Sequence, residues 1–360
     1  MRRSERDLSA GFLDEAWTRY KRVYVHAEGY VTDRTRNGGE VTSEGQAYAL
    51  LRAAWMGDRS TFTTVLSWTD THLMRADGLL SWRWSAAGGG RVLDVNSATD
   101  ADEDVAFALI VAASRFNRSD YLLRARETLR AIRAGTRVEV PGGWFPAAGN
   151  WATAGRVVNL SYFTPYAYPY FDILDPEGRW GDVTAAGYGL LDAALAAPAR
   201  LPPDFMVVGL DGALSPPGDE TLRRTFSFDA VRIFWRVAFD CRLHGRSPAC
   251  RHPGGDTLAE LLKRDGRLVT DYQVDGTRVS DEESLTFYAC ALPMLDARAP
   301  DLATGLRETR LSPEALRPVL DRRDRYFDLN WVWFGLALSG DLIVERTPTV
   351  DRIASMAGTL

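Results

Sequence analysis

An all-α fold, in the form of a toroid of paired helices, is the architecture that the sequence predicts. Three observations lead there. Apolar residues recur at helical spacing along most of the chain, period-two alternation is scarce, and a helix-plus-loop returns about every thirty residues without self-similar sequence. One domain over residues 1–360 is expected. Two smaller helical bundles would satisfy the same periodicity, which does not say how helices close.

The elements follow in order. Ala47, Leu50, Leu51, Ala54 and Trp55 form one apolar stripe, and Val105, Leu109, Ala112 and Phe116 the next. Tyr121, Ala125, Leu129 and Ile132 form a third, and Val183, Gly187, Leu190 and Leu191 a fourth. Val231, Phe234, Trp235, Ala238 and Cys241 continue the pattern. It ends with Leu285, Tyr288, Ala289 and Leu292, then Leu329, Val332, Trp333 and Leu336. Roughly ten to twelve helices are predicted in all. Arg137–Val140 and Leu268–Gln273 are the best short strand candidates.

Composition excludes several classes. A hydrophobic fraction of 46% with 25% charged residues is that of a globular chain. The net charge of −5 gives no reason to expect a nucleic-acid partner. The longest apolar run, Val105 to Ala113, is too short to span a bilayer. Cys241, Cys250 and Cys290 show no CxxC, and no His pair stands at metal spacing, so no metal and no cofactor is expected. Cys241 and Cys250 bracket a short polar loop and would pair in an exported protein; buried free thiols are the favoured reading. The basic start, MRRSER, lacks an apolar stretch behind it and is no signal peptide. An extracellular, periplasmic or membrane-anchored chain whose export segment lies outside this sequence is expected, with a cytoplasmic one as the alternative.

The candidate site residues stand where helices begin. In TSEGQAYALL, Ser43 and Gln46 read as a capping box with Glu44 in the first turn. In NSATDADEDVAFAL, Ser97 or Thr99 would cap, with Asp100, Asp102 and Asp104 following. In TFSFDAVRIFWRVAF, Ser227 would cap and Asp229 sits just inside. An acidic residue in a first turn ordinarily offsets the helix dipole. Three such starts with aromatic and glycine neighbours suggest more. If alternate helices run the same way around a ring, the carboxylates gather on one rim, where a pair of them suits glycoside hydrolysis.

SEGQAYALL, NSATDADEDVAFAL, NLSYF and FDAVR, in this order, resemble the signature blocks of glycoside hydrolase family 8. WTRYKRVYV with GYVTD, GLLSWRW, LPPDFMVV and DRYFDLNWVWFGLALSG are similar to further blocks of that family. Together they cover the chain from about Glu15 to Leu342. The resemblance implies an (α/α)6 barrel with an open cleft at one end, cutting β-1,4-linked polysaccharide internally with inversion. It implies Glu44 as general acid, Asp229 as general base and Asp100 as the residue holding the distorted sugar. Tyr162 falls beside the base, and Arg232 is expected to face the sugar. Trp82, Trp84, Trp151 and Tyr326 fall in blocks that supply stacking platforms.

Departures from the family pattern bear on the substrate. Phe228 stands where many members have Tyr, Leu160 replaces a common Pro, and alanines in TDAD and QAYAL stand where Gly is frequent. Cellulose, another β-glucan, xylan, chitosan and a bacterial exopolysaccharide all remain open, the last also in a role beside polysaccharide synthesis. The expected partner is the polysaccharide, met by a monomer. Polysaccharide lysis by elimination is the second reading, although the four histidines sit outside the acidic motifs. A non-catalytic glycan-binding protein on the same fold is the third, and stacking residues alone would suffice for it.

Overall fold

The structure, a computed structural model, describes residues 3–35, 39–245 and 247–358. Twelve helices form an inner and an outer ring. The inner six are α2 (Ser43–Met56), α4 (Thr99–Phe116), α6 (Tyr168–Leu174), α8 (Arg232–His244), α10 (Leu285–Arg298) and α12 (Tyr326–Ser339). The outer six are α1 (Arg3–Tyr24), α3 (Arg59–His72), α5 (Asp120–Thr136), α7 (Trp180–Ala194), α9 (Gly254–Asp265) and α11 (Pro300–Glu308). Helix α1 packs on α12, which brings the two ends of the chain together. This is the (α/α)6 barrel.

Burial separates the rings. Helices α2, α4 and α12 are buried almost all round, whereas α3, α5, α9 and α11 bury one face. Inner helices meet through edge-on aromatic contacts, among them Tyr48 with Trp331, Trp55 with Phe107, and Tyr166 with Trp235. Gly335 is required where α12 crosses α10, because a Cβ there would collide with the Ala289 carbonyl.

Short connections lie at one rim and long ones at the other. Gly57 and Asp58 alone join α2 to α3, and Ala299 alone joins α10 to α11. Asp58 caps α3 by accepting from the Thr61 amide at 3.1 Å, and it also holds Lys21 Nζ of α1 at 2.6 Å. The opposite rim carries three small antiparallel sheets. Strands β1 (Glu40–Thr42), β2 (Arg83–Ser85) and β3 (Arg91–Asp94) form one, with Val41 opposite Trp84. Strands β4 (Arg137–Val140) and β5 (Gly143–Pro146) form a hairpin. Strands β6 (Val157–Val158), β7 (Met206–Val208) and β8 (Leu214–Ser215) form the third. This rim, where α2, α4 and α8 begin, holds the candidate site.

Several expectations are corrected. Leu268–Gln273 is no strand; only Tyr272 makes isolated bridges, to Phe226 and Arg278. Thr42, not Ser43, caps α2 by accepting from the Gly45 amide at 3.1 Å. Gln46 turns away to Gly29, Val31 and Thr69. Neither Ser97 nor Thr99 caps α4: Ser97 Oγ accepts from Asn150 N, and Thr99 Oγ1 donates to the Ala147 carbonyl. Helix α8 starts at Arg232, so Asp229 lies in the turn before it rather than inside the helix. Cys241 and Cys250 form a disulfide in place of the favoured free thiols, while Cys290 is free and buried. Among the described residues no single helix is long and apolar enough to cross a membrane.

Candidate active site

The site is organised around one guanidinium. Arg232, at the first position of α8, has no exposed side-chain surface. Its Nη1 donates to Glu44 Oε2 at 2.9 Å, to Asp100 Oδ2 at 2.9 Å and to the Tyr48 hydroxyl at 3.1 Å. Its Nη2 donates to Ser161 Oγ at 3.1 Å and to Asp229 Oδ1. Its Nε reaches the Asp229 carbonyl at 3.2 Å. The Tyr162 ring lies against the guanidinium, 5.4 Å from ring centre to Cζ. Glu44, Asp100, Asp229, Arg232 and Tyr162, predicted from separate segments, are therefore brought together.

Their exposures differ in a useful way. The side chains of Glu44 and Asp229 are 24% and 32% exposed, whereas that of Asp100 is 2% exposed. Two carboxyls thus face the open rim, and the third lies behind them. Gly45, beside Glu44, is needed because a Cβ there would strike the Tyr326 hydroxyl.

One turn down each helix the arrangement repeats. Arg236 Nη1 and Nη2 grip Asp104 Oδ1 and Oδ2 at 2.9 and 3.0 Å, and Arg236 Nη1 donates to the Tyr166 hydroxyl at 2.8 Å. Asp100 pairs with Arg232 and Asp104 with Arg236, four residues on in both chains of the ladder. That register requires α4 and α8 to run in the same direction, so their starts share a rim.

The electrostatics follow from burial. Asp100 is pushed up from its ordinary value, chiefly by desolvation, with Arg232 and Arg236 pulling down and Asp104 and Asp229 pushing up. Burial works against the charge of Arg232, but Tyr48, Asp229, Asp100 and Glu44 outweigh it and hold the guanidinium well above its ordinary value. Burial first, then the carboxylates of Asp100 and Asp229, pushes the Tyr162 phenol well up. Tyr162 is a neutral hydroxyl here. Three carboxylates beside one guanidinium would carry a net charge of −2, so the cluster favours holding a proton.

The aromatic expectations divide. Trp151 is 41% exposed and Trp82 is half-buried at the start of the β2 hairpin, with the Arg83 guanidinium 5.3 Å from the Trp82 ring centre. Trp84 and Tyr326 are corrected as stacking platforms, being 7% and 2% exposed. Trp84 packs edge-on against Trp68 and tilts on Tyr30, and Tyr326 packs among Tyr20 and Tyr24 beneath Gly45. Trp84 borders a surface recess with Tyr30, Trp68 and His72 but keeps little of its ring exposed, and Tyr326 is enclosed.

The sequence reading overlooked the hydroxyls of Tyr48 and Ser161. Tyr48 stands one turn after Glu44, and Ser161 precedes Tyr162, so both lay within the quoted blocks. Asp204 was overlooked as well; its Oδ1 accepts from the amides of Ser227 and Ala230 at 2.9 and 2.8 Å. Among the described residues no group of three or more His, Cys, Asp or Glu side chains is arranged to hold a metal ion.

Known proteins resemble this chain in sequence and in fold. A probable endoglucanase of Novacetimonas hansenii is 36% identical over 236 residues, which cover 63% of this chain and 67% of that protein. Endoglucanase C of Ruminiclostridium cellulolyticum is 28% identical over 286 residues, 76% of this chain and 60% of its own length. The chain thus spans about three fifths to two thirds of these relatives. The solved endo-β-1,4-glucanase CMCax from Acetobacter xylinum superposes with a TM-score of 0.73 at 25% identity, covering 97% of this chain and 99% of that one. A family 8 xylanase from Teredinibacter turnerae, solved with xylohexaose, has a TM-score of 0.78 at 18% identity over 97% of this chain and 96% of its own, a likeness of fold alone. The family model for glycosyl hydrolases family 8 matches residues 7–254, and the chain belongs to that family.

Proposed function

We propose that this chain is an inverting endo-β-1,4-glycanase acting on cellulose or a related β-glucan or bacterial exopolysaccharide. One observation carries the reading: carboxyls from three helix starts converge on the buried Arg232, two of them facing the open rim. In this reading Glu44 protonates the leaving glycosidic oxygen and Asp229 takes the proton of a water attacking the anomeric carbon from the opposite face. Asp100, held behind them, fixes the sugar that distorts at the cleavage point. Arg232 divides one positive charge among three carboxyls, which leaves the cluster a proton to lend to Glu44. Tyr162, beside the guanidinium, limits where the attacking water stands. Trp151 and Trp82 give apolar ring faces for pyranose stacking.

The Cys241–Cys250 bond supports export to the periplasm or beyond, because disulfides persist in oxidising compartments. The relatives named as endoglucanases favour β-glucan over other polymers.

The test is reducing-end release from carboxymethylcellulose, mixed-linkage β-glucan, xylan, chitosan and an acetylated bacterial exopolysaccharide, with Glu44→Gln as the blank. Release from a β-1,4-glucan that the variant abolishes is expected. Preference for xylan or chitosan would move the substrate class. Binding without release, from folded protein, would overturn hydrolysis in favour of a glycan-binding role.

A further inference from the structure

The turn that carries Asp229 lacks the usual local support. Helix α8 has no side-chain cap of its own. Ser227, the natural candidate, spends its hydroxyl on the Thr270 carbonyl at 2.8 Å. The amides of Ser227 and Ala230, on either side of Asp229, instead converge on a single oxygen, Oδ1 of Asp204, at 2.9 and 2.8 Å. Asp204 comes from the segment leading into β7, and its residue is 3% exposed. The segment is itself stitched to the stretch before the turn, Asp204 N to the Thr225 carbonyl at 2.9 Å and Phe205 N to the Arg223 carbonyl at 3.1 Å.

We propose that Asp204 is a positioning residue for the reaction: its Oδ1 clamps the two amides that straddle Asp229 and thereby sets where the Asp229 carboxylate stands against the attacking water. The proposal rests on the reading of Asp229 as general base. Val231 N on the Ser227 carbonyl at 3.0 Å and Arg232 N on the Asp229 carbonyl at 3.2 Å close the turn, and Arg232 holds the carboxylate from one side; the two-amide clamp fixes the backbone on which that carboxylate is carried. The chemistry of the clamp fits the site. Burial, then the nearby Asp229, pushes the Asp204 carboxyl up to about 8, against the pull of the two amides and Arg223. Carrying a proton on Oδ2, Asp204 still accepts both amides at Oδ1 and puts no second negative charge beside the base. Arg223 Nε is 3.8 Å from Oδ2, and Arg223 Nη1 is committed to Asp271, so no tight ion pair opposes that proton.

The neutral acid has a close mimic in asparagine, which keeps the accepting oxygen and cannot ionise. The experiment compares Asp204→Ala and Asp204→Asn in the full chain, measuring kcat and KM on the preferred polymer well below each variant's Tm, with folding checked by circular dichroism. Asp204→Ala is expected to lower kcat by about 30–100-fold with KM changed less than about threefold, since small misplacements of catalytic groups have effects of this order. Asp204→Asn is expected to recover most of that kcat. Wild-type kcat in folded Asp204→Ala would overturn the proposal, as would an Asn variant as impaired as the Ala variant. Asp229→Asn is run alongside: if it keeps its turnover the base assignment fails, whereas an inactive Asp229→Asn beside an active Asp204→Ala defeats only the clamp.

Discussion

Nη1 of Arg232 stands 2.9 Å from Oε2 of Glu44, and the guanidinium that makes this contact has no solvent exposure. The same nitrogen serves Asp100 at 2.9 Å, and its neighbour Nη2 serves Asp229. A single ammonium cannot reproduce this division, because it lacks the planar fork that reaches three carboxyls from one side chain. Arg232→Lys is therefore expected to fold and to lose about 10²–10³-fold in kcat, the scale of removing one preorganised electrostatic group. Arg232→Met leaves three buried or half-buried carboxyls without a cation and is expected to destabilise the fold by about 3–5 kcal/mol. Steady-state kinetics and urea unfolding check both. Wild-type kcat in Arg232→Lys would show that the bridge is only structural.

Glu44→Gln and Asp229→Asn remove a proton donor and a proton acceptor while keeping shape. Each is expected to keep its Tm within a few degrees and to lose about 10²–10⁴-fold in kcat. The stereochemical course is a separate observable. Inversion at a β-linkage releases the α-anomer first, visible by proton NMR within the first minutes of hydrolysis. Early appearance of the β-anomer would overturn the inverting reading while leaving the two carboxyls in place.

Glu103 is buried on α4, where it accepts from the Thr164 hydroxyl and, at 3.3 Å, from that of Tyr168. Burial raises its carboxyl from 4.5 to about 8, only partly offset by Thr164 and Arg236. The folded state thus binds this proton more tightly than the unfolded chain does. The stabilising contribution is fully present below the unfolded value and is lost as pH climbs through the folded one. Asp204 contributes with the same sign. Stability measured by urea unfolding should accordingly fall between about pH 5 and pH 8, and Glu103→Gln should flatten that fall without abolishing it. A slope identical to wild type in Glu103→Gln would mean that Glu103 is ionised in the native protein.

Five inner helices and the outer α5 and α7 were legible because their stripes recur at 3.6 residues, and each stripe falls on a helix, with Val231 alone lying one residue before the start of α8. The short inner helix α6 and the outer α9 and α11 gave no such reading; α6 has only seven residues, and α11 buries only Ala303 and Leu306. Helix starts were misplaced for a physical reason. Their amides are satisfied across the fold, as when Asp204 serves the Ser227 turn, and distant pairing leaves no local signal. The gathering of Glu44, Asp100 and Asp229 on one rim followed from their places at helix starts only if alternate helices run the same way around a ring. Asp100 and Arg232 lie 132 residues apart, and the likeness to a known family was what gave each carboxyl its role. The exposure of the four proposed stacking rings was not legible either, since a ring count says nothing about which face a ring exposes.

The Cys241–Cys250 disulfide closes a loop of nine residues' separation at the far end of α8 from Arg232. Nine residues of helix place Cys241 about 13 Å along the axis from Arg232. Constraint of so short a loop is worth about 2–3 kcal/mol in the chain-entropy account. Cys241→Ser with Cys250→Ser, or reduction of the wild type, is therefore expected to lower the Tm while leaving kcat at temperatures well below it. A large kcat loss in the folded double variant would show that α8 transmits strain from one rim to the other.

Trp151 is the one tryptophan among the large apolar side chains that the fold leaves exposed, at 41%. The backbone beside it is anchored. Asn150, its neighbour, exchanges hydrogen bonds with Ser97, its Oδ1 accepting from Ser97 N at 2.7 Å and its backbone amide donating to Ser97 Oγ at 3.0 Å. Ser97 lies three residues before Asp100, so the chain that carries the ring is tied to the segment that opens α4. A rigid ring at the rim binds sugar in the ground state and the transition state alike, which raises KM and spares kcat when it is lost. With a stacking contribution of about 1–1.5 kcal/mol, Trp151→Ala should raise KM about five- to tenfold and change kcat less than threefold. The effect should also depend on substrate length. A chain long enough to reach from the carboxyl cluster to Trp151 feels the loss, whereas a short oligosaccharide spanning only the cluster does not. Kinetics on a series of oligosaccharides would therefore give both the presence of the platform and its distance in sugar units. An unchanged KM at every length would put the path of the polysaccharide elsewhere on the rim, with Trp82 as the next ring to remove.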